Sequence, residues 1–209
     1  LHSQIIFDDY VFPGSLADTQ EQWSVTQQCF DDAVRPAFED LKARGLIKAW
    51  GITGTGHPDA IEAVLRSEHK PDVVQIVTNL LDSPGSLKRY LEPARPRSLI
   101  QIAAERDIGV MGIRAVQAGA LTTAFDRRIG PHHPEMQDFE RAAPFRALCK
   151  QWGNDPAVIA HRYALAMTGI DTVGLGVKNR QALLACLGGA EPLEPEQMNE
   201  IDALGLQRL

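Results

Sequence analysis

The chain has 209 residues, a formal net charge of -6 at pH 7 and 44% hydrophobic residues, a composition that supports a globular fold with a sizeable core. The acidic balance argues against broad nucleic-acid binding, and no stretch approaches the roughly 18 consecutive apolar residues of a membrane span. The first residues lack the basic and apolar regions of a secretory leader, and the scattered Cys29, Cys149 and Cys186 suit reduced thiols. We therefore expect a cytoplasmic protein without membrane or nucleic-acid partners.

Helical and strand-like segments alternate along most of the chain. Apolar residues at near-helical spacing predict a first helix over 30–46, with Gly45 placed to end it. The segments predicted after it are, in chain order, strand 47–53, helix 58–67, strand 73–78, helix 98–106, strand 108–113, helix 137–152, helix 156–167, strand 170–175, helix 179–187 and helix 195–206. This alternation predicts a single α/β domain over residues 1–209 with a parallel sheet.

Two architectures fit a parallel sheet covered by helices, a (β/α)8 barrel and an open doubly wound sheet. An open sheet that binds a dinucleotide carries G-x-G-x-x-G after its first strand. Gly51, Gly54 and Gly56 have another spacing and lie in the middle of the predicted series of strands and helices. The glycine pattern therefore favours the barrel.

Two amides, Gln75 and Asn79, interrupt the apolar segment 71–81. Side chains alternate along a strand, so these amides share one face with Val73 and Val77. A buried amide that lacks a partner costs about 1 to 3 kcal/mol. Gln75 is therefore expected either to bond neighbouring backbone or to face a ligand with an amide of its own, and Asn79 is expected at the rim without an assigned ligand.

Five short motifs resemble, in order, the C-terminal part of the aldo-keto reductase family. They are LHS at 1–3, AWGIT at 49–53, VVQ to NLL over 73–81, GVMGIR at 109–114, and DTV to GVKN over 171–179. That family folds as a (β/α)8 TIM barrel and binds NADP(H) across the C-terminal ends of the strands. The resemblance implies an incomplete barrel, a fragment that lacks about the first three strands.

The resemblance implies that the parent protein is an NADPH-dependent oxidoreductase that reduces a small aldehyde or ketone to an alcohol. His2 would be the catalytic imidazole that orients the substrate carbonyl. The family's catalytic Asp, Tyr and Lys would precede the chain, so the fragment alone is expected to be inactive. The alternative for His2 is a terminal side chain without a role.

Two residues at neighbouring strand ends are similar to the family's carboxamide-binding positions. Gln75 would bond the nicotinamide carboxamide, since an amide side chain both donates and accepts; the alternative is a core amide bonded by backbone. Thr53 falls where the family has Ser followed by a carboxamide-binding Asn, and Gly54 replaces that Asn here. Thr53 could also simply cap a turn.

Residues 112–116 resemble the family segment that passes the nicotinamide and the pyrophosphate. Ile113 falls where many members have an aromatic ring, and an aliphatic side chain can still cover the nicotinamide face. Arg114 would approach the pyrophosphate as a permanent cation, with Val116 in the same cofactor-binding segment. The alternative for Arg114 is a solvated surface residue or an internal ion pair.

Lys178 and Asn179 correspond to the family's loop and helix start at the adenosine 2′-phosphate. A helix N-terminus favours anions, so a lysine there suits NADP rather than NAD. Ala182 and Cys186 stand where the family often has a phosphate-binding Arg and an adenine-binding Asn, which leaves the cofactor preference open.

The adjacent His132 and His133 raise the possibility of a metal site. Adjacent side chains point in different directions on extended backbone, and no carboxylate or cysteine at fixed spacing completes a tetrahedral set. We expect no metal, and a loop that borders the substrate pocket.

Two further hypotheses concern the chain as a whole. It could be a non-catalytic module, regulatory or cofactor-binding, that keeps the nicotinamide and phosphate contacts. Two half-barrels could also pair as a homodimer, because exposed strand edges favour association. The oligomeric state is open at this stage.

Overall fold

The computed structural model describes residues 1–125, 127–177, 179–188 and 190–207. The chain forms two compact units, each assembled from two stretches of sequence. The first unit comprises Leu1–Ile76 and Leu87–Val110, and the second comprises Val77–Ser86 and Met111–Leu209. The expectation of a single domain over residues 1–209 stays a prediction.

The strands are short and the helices are longer. The strands are β1 Gln4–Ile6, β2 Ser24–Thr26, β3 Gly51–Thr53, β4 Val73–Val77, β5 Gly109–Ile113 and β6 Thr172–Val173. The α-helices are α1 Gln20–Trp23, α2 Gln27–Cys29, α3 Arg35–Ala43, α4 Pro58–Arg66, α5 Pro96–Glu105, α6 Pro134–Arg141, α7 Ala143–Gln151, α8 Pro156–Ala166, α9 Arg180–Gly188 and α10 Pro195–Asp202. Within the described ranges, no helix combines the length and apolar content needed to cross a membrane.

Parallel strand pairs form the sheets. In the first unit β1 pairs with β2, and β3 pairs with β4 so that Thr53 lies opposite Gln75. In the second unit β5 pairs with β6, with Met111 opposite Thr172. Parallel pairing confirms the α/β class, and the incomplete (β/α)8 barrel stays a prediction.

Helices α4 and α5 of the first unit confirm the sequence pattern. Helix α4 begins at Pro58 and buries Ile61, Val64 and Leu65, the i, i+3, i+4 spacing of an amphipathic helix. Helix α5 packs against it. The side chains that α5 buries are Pro96, Leu99, Ile100, Ile102 and Ala103. The apolar face that periodicity predicts is therefore the face that forms the core.

The first predicted helix begins earlier than expected. Helical backbone runs through α2, a π-helical turn at Phe30–Val34 and α3. The helix ends where predicted, because Gly45 has a φ of +70° and the Leu46 N–H donates to the Leu41 carbonyl oxygen at 3.0 Å. Helix α1 and strand β2 were not predicted, since elements of four and three residues are too short to reveal a period.

A proline divides the helix predicted over 137–152. Helix α6 ends at Arg141 and α7 begins at Ala143, because Pro144 has no N–H to donate to the Glu140 carbonyl oxygen. The strands predicted over 47–53 and 170–175 are also shorter, at three and two residues. Only those residues have partners in a parallel ladder.

Asn79 follows β4 in the second unit and is buried, and its rim position stays a prediction. Its side chain is 0% exposed. The amide nitrogen donates to the carbonyl oxygens of Ser83 and Arg114 at 3.0 and 3.2 Å, and the amide oxygen accepts from the N–H groups of Leu81 and Ser83 at 3.1 and 3.2 Å. All four of these hydrogen bonds join the Asn79 amide to backbone groups, and they fix the turn that follows β4.

Candidate functional site

Thr53 and Gln75 lie beside each other in the first unit. They are register partners in the parallel β3–β4 pair, and such partners present their side chains on the same face of a sheet. Thr53 is buried, with its hydroxyl 3.3 Å from the Thr55 hydroxyl, whereas Gln75 is half-buried. The structure therefore brings together a hydroxyl and an amide at adjacent strand positions.

Gly54 follows Thr53 where no side chain fits. A Cβ at this position would lie 2.9 Å from the Gln75 carbonyl oxygen and 3.1 Å from Ile76 Cγ1. The Gly54 N–H also donates to the same Gln75 oxygen at 2.7 Å. The close approach of the two backbones accounts for glycine at position 54. With no Asn side chain there, Gln75 is the residue of this strand pair that offers a side-chain amide on this face.

His2 is exposed, next to a residue that is fixed against β3. The Leu1 nitrogen donates to the Gly51 carbonyl oxygen at 2.6 Å, and the Thr53 N–H donates to the Leu1 carbonyl oxygen at 3.0 Å. These bonds hold the backbone before His2 alongside the strand that carries Thr53. The catalytic role of His2 stays a prediction.

Arg114, in the second unit, forms an internal ion pair. Its Nη2 lies 3.2 Å from Glu135 Oε1, and the two side chains are 15% and 2% exposed. The same nitrogen donates to the Pro84 carbonyl oxygen at 3.2 Å. Burial lowers the pKa of Arg114, and the Glu135 charge acts in the opposite direction. The sequence left open whether Arg114 approaches the pyrophosphate or is a surface or ion-paired residue, and the structure shows the internal ion pair.

The backbone after β5 is strained. Three residues other than glycine have left-handed backbone, Arg114 with φ +62°, Gln117 with φ +45° and Ala118 with φ +49°. Each such residue costs about 1 to 3 kcal/mol and needs surrounding structure to hold it. Gln117 is held by Asp138, because its Nε2 donates to Asp138 Oδ2 at 2.7 Å. Strain of this kind is concentrated at functional sites.

The strained segment borders a cavity that lies within the second unit. Its volume is about 440 Å³, within the range of small-molecule sites. Val116 and Asn179, both predicted to bind the cofactor, line it, and Ile113 does not. Lys178 falls outside the described residues. The cavity is also lined by polar residues that the sequence did not single out as ligands, among them Arg127, Asp155, His161 and Cys186.

Comparison with known families identifies the fold that carries this cavity. The model of the aldo/keto reductase family matches residues 10–205. The chain belongs to the aldo/keto reductase family. Among solved structures, it is similar to the aldo-keto reductase AKR11C1 from Bacillus halodurans in its holo form, with a TM-score of 0.61, and in its apo form, with a TM-score of 0.63.

Both of these matches have 23% sequence identity and cover 83% of this chain. The chain spans 56% of the length of each matched structure. Comparison with curated protein sequences gives no match. At this identity the structural likeness supports the fold.

Two helices of the second unit begin at the cavity wall. The Asn179 side-chain oxygen accepts the Ala182 N–H at 2.8 Å at the start of α9, and Asp155 Oδ1 accepts the Ala157 N–H at 2.8 Å at the start of α8. Helix N-termini carry partial positive charge. The cavity wall therefore combines two helix N-termini with the Arg127 cation and the Asp155 anion.

A thiol and an imidazole face each other in the same cavity. Cys186 Sγ lies 3.6 Å from His161 Nδ1. Burial lowers the pKa of His161, although the Ala157 carbonyl and the Asp155 charge act in the opposite direction, and burial raises the pKa of the Cys186 thiol. Both groups are therefore neutral at pH 7.

Of the two adjacent histidines, His133 contacts the carboxylate of the Arg114–Glu135 ion pair. His133 precedes α6; its Nδ1 accepts the Glu135 N–H at 3.4 Å and lies 2.6 Å from Glu135 Oε2. Across the part of the chain that the structure describes, no group of three or more His, Cys, Asp or Glu side chains could hold a metal ion. His133 serves to position the Glu135 carboxylate.

The three cysteines are expected to react with a maleimide at different rates. Cys29 is exposed, Cys186 lines the cavity, and Cys149 is buried with a thiol whose pKa burial raises to about 12. Only the thiolate reacts, so we expect Cys29 to react first, Cys186 more slowly and Cys149 only on unfolding. Mass spectrometry of timed peptide digests measures the order. Labelling of Cys186 as slow as that of Cys149 would contradict access through the cavity.

Proposed function

We propose that this chain is the cofactor-binding part of an NADP(H)-dependent aldo/keto reductase that reduces a small aldehyde or ketone to an alcohol in the cytoplasm. The observation that carries the proposal is the cavity bordered by Val116 and Asn179 in the second unit. Family membership over residues 10–205 supports it. The role of each predicted residue is part of the proposal.

The cavity suits the adenosine end of a dinucleotide. Its volume of about 440 Å³ is appropriate for a nucleoside phosphate, and apolar side chains such as Val116 and Val158 provide a surface for the base. The N-termini of α8 and α9 favour an anionic group. Asn179 and Lys178 would hold the ribose phosphate.

The β3–β4 strand ends of the first unit suit the nicotinamide end. Gln75 offers both a donor and an acceptor, as a carboxamide requires, and the Thr53 hydroxyl lies on the same face. A bound nicotinamide supplies a hydride to a carbonyl carbon. His2 would donate a hydrogen bond to the carbonyl oxygen, where negative charge develops.

The segment after β5 would serve the middle of the cofactor. Ile113 would cover one face of the nicotinamide ring, and Val116 would contact the cofactor at the cavity wall. Arg114 would contribute chiefly by holding the segment in place, since its guanidinium is paired with Glu135. If Arg114 also contacted the pyrophosphate, its guanidinium would bind the pyrophosphate and the Glu135 carboxylate at the same time.

Titration with NADPH tests the proposal. We expect the 209-residue chain to bind NADPH saturably, as followed by cofactor fluorescence. Gln75→Leu should weaken binding about tenfold, since losing a hydrogen bond to an amide costs about 1.4 kcal/mol. Gln101→Leu is the matched control, because Gln101 is exposed and bonds Glu105 on α5. Absence of saturable binding by the unaltered chain would overturn the proposal.

The same samples test the catalytic expectation. We expect no carbonyl-dependent oxidation of NADPH by the isolated chain, in keeping with the resemblance that leaves His2 as its one catalytic residue. Oxidation above the background rate would contradict this expectation. Bound NADPH should also slow the alkylation of Cys186 and leave that of Cys29 unchanged, a readout that does not depend on turnover.

A further inference from the structure

We propose that a second cavity of the second unit binds a compact oxyanion with at least two negative charges, either the phosphate group of a small metabolite or a di- or tricarboxylate. This inference goes beyond the proposed function and does not rest on it. The cavity has a volume of about 490 Å³. Arg146 and Lys150 of α7 line it, together with Thr123 and Asn154.

This second cavity is separate from the one proposed for the cofactor. Among the described residues, none lines both cavities. The chain passes between them at the start of α8, because Asn154 and Pro156 line the second cavity whereas Asp155 and Ala157 line the first. The two cavities can therefore hold different ligands.

The charge at the second cavity is positive. Arg146 and Lys150 are four residues apart on α7, so their side chains lie on the same face of the helix, where like charges repel. No carboxylate lines the cavity in the part of the chain that the structure describes, and neither cation has an ion-pair partner there. A bound anion would replace this repulsion with attraction to both side chains.

Arg146 is held in place and keeps donors for a ligand. Its Nη1 donates to the Ala120 carbonyl oxygen at 3.2 Å, and its guanidinium carbon lies 3.8 Å from the centre of the Phe139 ring. A guanidinium has five N–H donors in a planar fork that matches phosphate and carboxylate oxygens. The bond and the ring contact therefore orient Arg146 before a ligand binds, and they leave other donors for it.

The partial burial of Arg146 strengthens its attraction for an anion. Arg146 is half-buried, and burial lowers its pKa. An arginine nevertheless keeps its charge at neutral pH. Because water screens a half-buried charge less than an exposed one, an anion beside Arg146 gains more than it would beside a fully solvated cation.

Neutral donors complete the site. The Thr123 hydroxyl lines the cavity, as does the Asn154 amide, whose Nδ2 donates one of its two hydrogens to the Trp152 carbonyl oxygen at 3.0 Å. The start of α8 adds little, since Pro156 has no N–H and the Ala157 N–H is bonded to Asp155. Two cations with two neutral donors favour a multiply charged oxyanion over a monoanion.

Isothermal titration of the 209-residue chain with pyrophosphate and with citrate, at constant ionic strength, tests the inference. We expect saturable binding of one ion per chain. Binding of pyrophosphate alone would assign the cavity to phosphate compounds, binding of citrate alone would assign it to carboxylates, and binding of both would assign it to multivalent oxyanions in general. Acetate, a monoanion, should not bind saturably.

Variants of α7 locate the bound ion. Arg146→Gln should weaken binding at least tenfold, as expected for the loss of a charge-assisted hydrogen bond at a half-buried cation. Lys150→Gln should weaken it about fivefold, because Lys150 is exposed. Lys48→Gln is the matched control, since it removes the same charge from an exposed position of the first unit and should leave binding unchanged. Circular dichroism melting curves establish that each variant is folded.

Three results would overturn the inference. They are the absence of saturable binding by either multivalent ion, equal affinities of Lys150→Gln and Lys48→Gln, and loss of pyrophosphate or citrate binding in saturating NADPH, which would place the ion in the cofactor cavity. Failure of NADPH itself to bind would overturn the proposed function and leave this inference standing. The two proposals can therefore fail independently.

Discussion

Replacing Glu135 with alanine is expected to lower the free energy of unfolding by about 3 to 5 kcal/mol, the effect of removing one partner of a buried ion pair. The change leaves the Arg114 guanidinium, 15% exposed, without its carboxylate. It also removes the acceptor of the Ser86 N–H and hydroxyl, which lie 3.1 and 2.5 Å from Glu135 Oε1. Urea unfolding followed by circular dichroism measures the loss.

Glu140→Ala is the matched control for this prediction. Glu140 lies on the same helix, α6, and is exposed, so its removal should change stability by less than about 0.5 kcal/mol. Equal losses for the two variants would show that helix propensity, rather than the buried pair, accounts for the effect. Arg114→Met combined with Glu135→Ala should recover part of the stability, because it removes the buried cation as well.

The contribution of Glu135 is expected to depend on pH. Burial alone would raise the pKa of this carboxyl, but hydrogen bonds from the Ser86 side chain and backbone, with the Arg114 charge, hold its pKa below the usual range. The stability that it provides is therefore complete above its unfolded pKa of about 4.3 and is lost as the pH falls through the lower folded pKa. The stability difference from Glu135→Gln should shrink on acidification from pH 7. A constant difference would contradict the ionised pair.

Gly56→Ala is expected to destabilise the first unit by about 2 to 3 kcal/mol, an overpacking cost. A Cβ at Gly56 would overlap the Ile5 carbonyl oxygen and lie 2.7 Å from the Ile5 nitrogen. These are backbone atoms of β1, so no rotamer change can relieve the clash. The same Ile5 oxygen accepts the His57 N–H at 3.0 Å, and any shift of β1 would weaken that bond.

Thermal unfolding measures the destabilisation caused by Gly56→Ala. A loss of this size should lower the melting temperature by about 4 to 12 °C for a chain of this length. Gly130→Ala is the control, because a Cβ at Gly130 would meet no atom within 4 Å and its φ is not left-handed. An unchanged melting temperature for Gly56→Ala would show that β1 can move away from residue 56 without cost.

Helices α4 and α5 of the first unit could be predicted because their signals are local. Helix α4 combines a first-turn proline at Pro58 with apolar residues at helical spacing, and both signals act within one helix. The division between α6 and α7 was equally available, since Pro144 lies inside the predicted range. The short strand β2 was not, because its pairing with β1 depends on residues far apart in sequence.

Residues of the candidate site could be predicted from the sequence only where they lie at the end of a strand or at the start of a helix. Asn179 directly precedes α9 and Thr53 ends β3, so both occupy positions that sequence pattern identifies. The pairing of Arg114 with Glu135 could not be foreseen, because the two residues come from separate elements and nothing local links their charges. Arg127 lies in a long loop, and its position at the cavity depends on the left-handed turns that precede it.

Those left-handed turns create a conflict between heat tolerance and ligand binding. Each left-handed residue of segment 114–118 raises the energy of the folded chain, and glycine at Ala118 would remove that cost there. The strained shape is also what presents Val116 and Ala118 to the cavity. Directed evolution for thermal resistance alone is therefore expected to relax this segment and erode the cavity wall, whereas a combined screen for nucleotide retention would preserve it.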